Sequence, residues 1–122
     1  MSEAVILVVA DDTDTRRRVM LELAEEGRQV TTADSGVVAR ALAGTFDVGV
    51  FDIELADASG PELAEEMLQA GRLGRVVFFS GATWQALLRR AASLGPVVSK
   101  ESGPAAMASE LRRIVGTRTL PG

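Results

Sequence analysis

Four places along the chain end an apolar run on a side chain able to do chemistry: Asp11 and Asp12 after VILVVA, Asp52 after VGVF, Ser80 after RVVFF, and Lys100 after PVVS. Each run reads as a buried strand, and in an open α/β sheet ligands bind in the crevice beyond the carboxyl ends of the strands, so these places should converge. Three carboxylates brought together there, Asp11, Asp12 and Asp52, would need a cation. At about 4 Å and an effective dielectric near 20, each pair of like charges repels by about 4 kcal/mol. Mg²⁺, a hard cation that keeps several of its waters, suits such an oxygen-rich cluster and also bridges phosphate oxygens. Lys100 would add a fixed positive charge and Ser80 a hydroxyl donor, both suited to an anionic phosphoryl oxygen, with Asp52 as the in-line nucleophile.

The composition removes most competing chemistry. With no Cys, His or Tyr in the chain, thiol nucleophiles, disulfides, Cys/His zinc sites and imidazole acid–base catalysis are excluded. Thirteen basic residues against 17 acidic ones, a net charge of −4, leave no electrostatic footprint for nucleic acid. No apolar run approaches the roughly 18 residues of a membrane span. The opening MSEAVILVVADD lacks the basic start of a signal peptide, so the cytoplasm is the expected compartment. Neither a P-loop nor a GxGxxG turn occurs, which argues against nucleotide binding.

The elements that must position these residues are five strand-like runs, at residues 5–10, 29–33, 48–51, 75–79 and 96–99, each followed by a helical stretch. Val19, Met20, Leu23 and Ala24 fall on one face of a first helix, with Asp12, Thr13 and Asp14 as candidate N-caps and Gly27 closing it. Asp34 or Ser35 caps a second helix running through Ala43, and Pro61 opens a third through about Ala70. A fourth follows residues 80–83, with Trp84, Leu87, Leu88 and Ala91 on one face. Pro104 opens a fifth, striped by Met107, Leu111, Ile114 and Val115.

Strands alternating with helices imply a parallel sheet, and right-handed crossovers then put helices on both faces. The first, third and fourth runs are the most continuously apolar and suit the centre, while residues 29–33 alternate and suit an edge. At 122 residues a single domain is expected, with its core at about residues 4–115 and a frayed tail at 116–122.

In the order and approximate spacing of these motifs the whole chain resembles the CheY-like receiver domain of two-component response regulators. The resemblance rests on Asp11-Asp12, FDIEL around Asp52, Gly60 eight residues beyond, Ser80-Gly81, and Lys100. It implies a doubly wound, flavodoxin-like α/β fold with a five-stranded parallel sheet in the order 2-1-3-4-5. It implies phosphoryl acceptance on Asp52 from a partner's phosphohistidine, with Mg²⁺ held by Asp11, Asp12, Asp52 and the backbone carbonyl of Glu54. Ser80 and Lys100 would contact the phosphoryl group. Lacking histidine, the chain cannot be the donor, so a histidine kinase, a phosphotransfer protein or a small-molecule phosphodonor is required, and a downstream protein partner would read the outcome.

Four departures from the family pattern bear on that expectation. Val97 replaces the usual aromatic residue three before the lysine, and Glu101 replaces the proline after it, which makes the following peptide trans. Ala56 stands where a proline is often found, which is expected to loosen residues 53–59. Glu54 and Glu101 add negative charge at the rim, and the Glu54 side chain is expected to overhang the phosphoryl site and alter attack by water on the acyl phosphate. Trp84 is expected to pack the fourth helix onto the sheet, the alternative being a surface readout in place of the missing aromatic; Arg16, Arg17 and Arg18 read as a solvated face or a docking surface. A receiver-like module that works by interaction without phosphorylation is the competing reading. A Mg²⁺-dependent phosphatase is disfavoured because FDIEL has no second aspartate two residues on.

Overall fold

The computed structural model describes residues 4–81 and 84–115. The elements run β1 (Val5–Val9), α1 (Thr13–Ala24), β2 (Gln29–Ala33), α2 (Gly36–Ala41), β3 (Phe46–Phe51), α3 (Gly60–Gln69), β4 (Leu73–Ser80), α4 (Gln85–Leu94), β5 (Val97–Ser99) and α5 (Pro104–Val115). A single 3-10 turn, Lys100–Ser102, joins β5 to α5. The five strands are parallel in the order β2-β1-β3-β4-β5, a doubly wound flavodoxin-like sheet. The expected tail at 116–122 and part of the lead into α4 lie outside the described residues.

Alternation along the strands builds two cores. Leu7, Val9, Val76 and Phe78 face one side, where they meet Ala39 of α2, Leu63, Ala64 and Met67 of α3, and Ala91 of α4. Ile6, Val8, Val48, Val50, Val77 and Phe79 face the other, against Val19 and Leu23 of α1 and Met107, Ala108 and Leu111 of α5. The central strands carry apolar residues on both faces because both are covered. Gly49 keeps the β3 face level, since a Cβ there would lie 2.4 Å from the Phe51 ring.

The helix ends follow local chemistry. Ser35 caps α2 by accepting the Val38 N–H at 3.1 Å, and Ser59 caps α3, with Pro61 in the first turn. Gly27, at φ 78°, accommodates the left-handed turn after α1. Three expectations are corrected. Met20 and Ala24 are exposed while Val19 and Leu23 are buried, so the inward stripe of α1 is narrower than its apolar residues. The second helix stops at Ala41, before Leu42 turns to extended backbone. Trp84 precedes α4 and is 66% exposed, leaving Leu87, Leu88 and Ala91 to pack that helix. Among the described residues no helix is long and apolar enough to cross a membrane.

Candidate functional site

Parallel registration aligns the carboxyl ends of the strands. Val9 pairs with Phe51, Phe51 with Phe78, and Ser80 with Ser99, so Asp52, Ser80 and Lys100 stand at one end of three neighbouring strands. The Asp52 N–H donates to the Val9 carbonyl at 2.9 Å, extending the β1·β3 ladder one step beyond the strand and fixing where this side chain starts. Among the described residues the buried polar side chains are Asp52 and Ser80, at 7% and 5% exposure.

A buried carboxylate needs compensation. Lys100 supplies it: Nζ donates to Asp52 Oδ2 at 3.1 Å. The aliphatic stem of Lys100 passes beside Gly81, where a Cβ would be 3.9 Å from Lys100 Cδ. Behind Asp52, Gly60 is packed so closely that a Cβ would fall 1.9 Å from the Asp52 carbonyl oxygen. Glycine is required there by close approach of backbone to backbone.

The acidic pair behaves differently. Asp12 caps α1, its Oδ2 accepting the Thr15 hydroxyl at 2.7 Å and the Thr15 N–H at 2.9 Å. Those two bonds, the hydroxyl first, hold its carboxyl below the ordinary 3.8. Asp11 reaches across to the loop after β3, its Oδ2 accepting the Ala56 N–H at 3.0 Å. Among the described residues no three acidic side chains are gathered tightly enough to hold a metal ion. The donor chemistry suits a hard cation nonetheless. The bonds just described fall on Oδ2 of Asp11, Asp12 and Asp52 alike, leaving a second carboxylate oxygen on each. Glu54, whose carbonyl completes the expected set, is exposed and bridges Ser59.

The loop at residues 53–59 is not loose. Leu55 N–H donates to the Ala58 carbonyl at 3.0 Å and Gly60 N–H to the Ile53 carbonyl at 2.8 Å. Ala56 contributes a donor that a proline would lack, and Asp11 uses it. Asp57 accepts from Gly36 N–H and Val37 N–H, each at 2.9 Å, tying the loop to α2. These bonds, Gly36 before Val37, hold the Asp57 carboxyl below 3.8. Sequence reasoning named neither Thr15, which the position three after a capping Asp12 could have pointed to, nor Asp57 and Gly36, whose contact spans 21 positions with no local pattern.

The remaining candidates divide. Val97 begins β5, paired with Phe78 and 36% exposed. All peptides among the described residues are trans, that after Lys100 included, and Glu101 lies in the 3-10 turn. In the basic run, Arg16 is half-buried and donates to the Ala10 carbonyl at 2.8 Å, Arg18 pairs with Asp14, and Arg17 faces solvent.

A family model described as the response regulator receiver domain matches residues 6–112. No curated protein matches the chain. Among solved structures, the signal receiver domain of an HD domain-containing protein from Pseudomonas fluorescens Pf-5 superposes with a TM-score of 0.85 at 17% identity, over 93% of this chain and 95% of that one. The chemotaxis response regulator CheY4 of Vibrio cholerae gives 0.77 at 24% identity, over 93% and 99%. The response regulator TrrA of Thermotoga maritima, in complex with Mg²⁺-BeF, gives 0.79 at 24% identity, over 91% and 98%. At these identities the structural likeness establishes the fold.

Proposed function

The chain belongs to the response regulator receiver domain family, and on that footing we propose that it accepts a phosphoryl group on Asp52 and signals through a phosphorylation-dependent protein contact. The observation that carries this reading is the buried Asp52 carboxylate, held at 3.1 Å by Lys100 at the carboxyl edge of the sheet beside Ser80. A carboxylate oxygen of Asp52 forms a bond to phosphorus as the bond from phosphorus to the donor's leaving atom breaks. The leaving group departs with that electron pair. Lys100 and the Ser80 hydroxyl would contact the oxygens on which charge develops, and their contribution would be positioning and electrostatics.

Asp11, Asp12, Asp52 and the Glu54 carbonyl would hold Mg²⁺, which when bound neutralises phosphoryl oxygens. To serve as ligands, Asp12 would use the oxygen that Thr15 leaves over and Asp11 would share or yield its bond to Ala56. With no histidine the chain cannot be the phosphohistidine donor, so the proposed phosphodonor is a histidine kinase, a phosphotransfer protein or a small-molecule phosphodonor. The domain thus acts as a signalling element rather than as an enzyme turning over a substrate, and the cytoplasm is its proposed compartment. Glu54, exposed on the loop after β3, is proposed to set the lifetime of the acyl phosphate.

A second reading, an interaction module independent of phosphorylation, is favoured by the committed hydrogen bonds of Asp11 and Asp12 and by Val97 and Glu101 in place of the family's usual residues. Fluorine NMR of beryllofluoride titrated onto the protein with and without Mg²⁺ separates the two. Phosphoacceptance predicts a bound, Mg²⁺-dependent signal; free beryllofluoride alone at every concentration supports the second reading.

A further inference from the structure

The loop that follows Asp52 is held from two sides by adjacent residues. On one side the Ala56 N–H donates to Asp11 Oδ2 at 3.0 Å. On the other, Asp57 takes the Gly36 N–H on Oδ1 and the Val37 N–H on Oδ2, each at 2.9 Å. The start of α2 sits hard against this loop: a Cβ on Gly36 would lie 3.1 Å from Ala58 Cβ and 3.3 Å from Asp57 Oδ1. Within the loop, the Leu55–Ala58 hydrogen bond and the Glu54–Ser59 bridge tie its residues into one unit. A displacement at Ala56 is therefore passed to Asp57 rather than absorbed between them.

Asp11 is the shared element. Its Oδ2 serves the Ala56 N–H, a partial positive charge, and a cation entering the acidic pocket competes with that N–H for the same carboxylate. The far end of the linkage is a six-residue helix whose first turn leaves Val37 65% and Val38 39% exposed. So short a helix has little stability of its own and depends on what holds its first turn.

We propose that Asp57 is a positioning residue that couples occupancy of the acidic pocket to α2: loading draws Asp11 away from Ala56, the loop shifts, and the double hydrogen bond from Asp57 to Gly36 and Val37 loosens. This rests on the reading that the pocket takes Mg²⁺ and a phosphoryl group. The surface that changes is then the Val37–Val38 edge of α2. Because coupling between two sites is reciprocal, whatever releases the clasp also favours the cation.

The test is amide hydrogen exchange at Gly36 and Val37, with and without Mg²⁺ and beryllofluoride, together with the Mg²⁺ affinity of variants. In the unaltered protein, loading accelerates exchange at both amides by at least about fivefold, the low end of ordinary allosteric couplings. In Asp57→Ala exchange is fast in both states, and Mg²⁺ binds several-fold more tightly. Asp57→Asn, which keeps one acceptor, falls between. Ala56→Pro, which deletes the donor to Asp11, also binds Mg²⁺ more tightly and decides the matter if Asp57→Ala fails to fold. The proposal is overturned by a protein that binds beryllofluoride with unchanged exchange at Gly36 and Val37, or by an Asp57→Ala or Ala56→Pro variant no tighter for Mg²⁺ than the parent. Absence of beryllofluoride binding overturns instead the functional reading on which the proposal stands.

Discussion

Asp52 is a charge placed where the fold can least tolerate one alone. With its side chain 8% exposed and Lys100 at 31%, the pair is unequally desolvated, and removing Lys100 strands the buried Asp52 carboxylate whereas the lysine can still reach water. Lys100→Ala is therefore expected to destabilise the protein by about 2 kcal/mol in urea unfolding, the low end for truncating a buried hydrogen-bonded charge pair because the ammonium retains some water. Asp52→Asn, which removes the charge that needed a partner, is expected to leave stability nearly unchanged. A Lys100→Ala protein as stable as the parent would mean that the ion pair is not formed in solution. Gly60 is constrained as tightly, by a contact of 1.9 Å that any Cβ would make with the Asp52 carbonyl. Gly60→Ala is expected to cost about 3 kcal/mol in the same assay and to displace the Asp52 backbone.

The elements most revealing of how sequence becomes site are those whose ends were set by a distant residue. Strand ends were legible to within a residue, most clearly where the apolar run stops at a polar side chain, as at Phe51–Asp52 and Ser99–Lys100. Strand starts were less so: β3 begins at Phe46 and β4 at Leu73, where parallel pairing of those two residues extends the ladder past the apolar run. Helix α2 was foreseen with Asp34 or Ser35 as its cap, of which Ser35 is the one used, but its second set of bonds comes from Asp57 across the loop. Since the folded carboxyl of Asp57 lies below the unfolded 3.8, its contribution is complete above that value and disappears as the pH falls through the folded one. The Gly36 and Val37 amide shifts should accordingly stay constant from neutral pH down to the usual carboxylate range and move only below it. Constant shifts throughout the acid range, or movement near neutrality, would contradict the clasp.

At the scale of the whole molecule, two cores on either side of one sheet make the crevice rigid enough to hold charges in register. Leu63 and Leu111, each fully buried, anchor α3 and α5 on opposite faces. Truncating either to alanine is expected to cost about 2–5 kcal/mol by urea unfolding. A parallel sheet with helices on both faces was readable from strand-like runs alternating with helical stretches, while the strand order came from the family resemblance. The exposure of Trp84 was not, because its apolar neighbours Leu87 and Leu88 fulfil the packing that the helical pattern also assigned to it. Nor was the order in the loop after Asp52, where a missing proline reads as slack but supplies the N–H that Asp11 binds.

The central claim is that Asp52 accepts a phosphoryl group, and intact-mass spectrometry after incubation with acetyl phosphate and Mg²⁺ tests it most directly. The account predicts one phosphoryl adduct per chain, dependent on Mg²⁺, absent from Asp52→Asn and formed more slowly in Lys100→Ala. An unmodified mass in the parent protein, or an adduct that persists in Asp52→Asn, would contradict it.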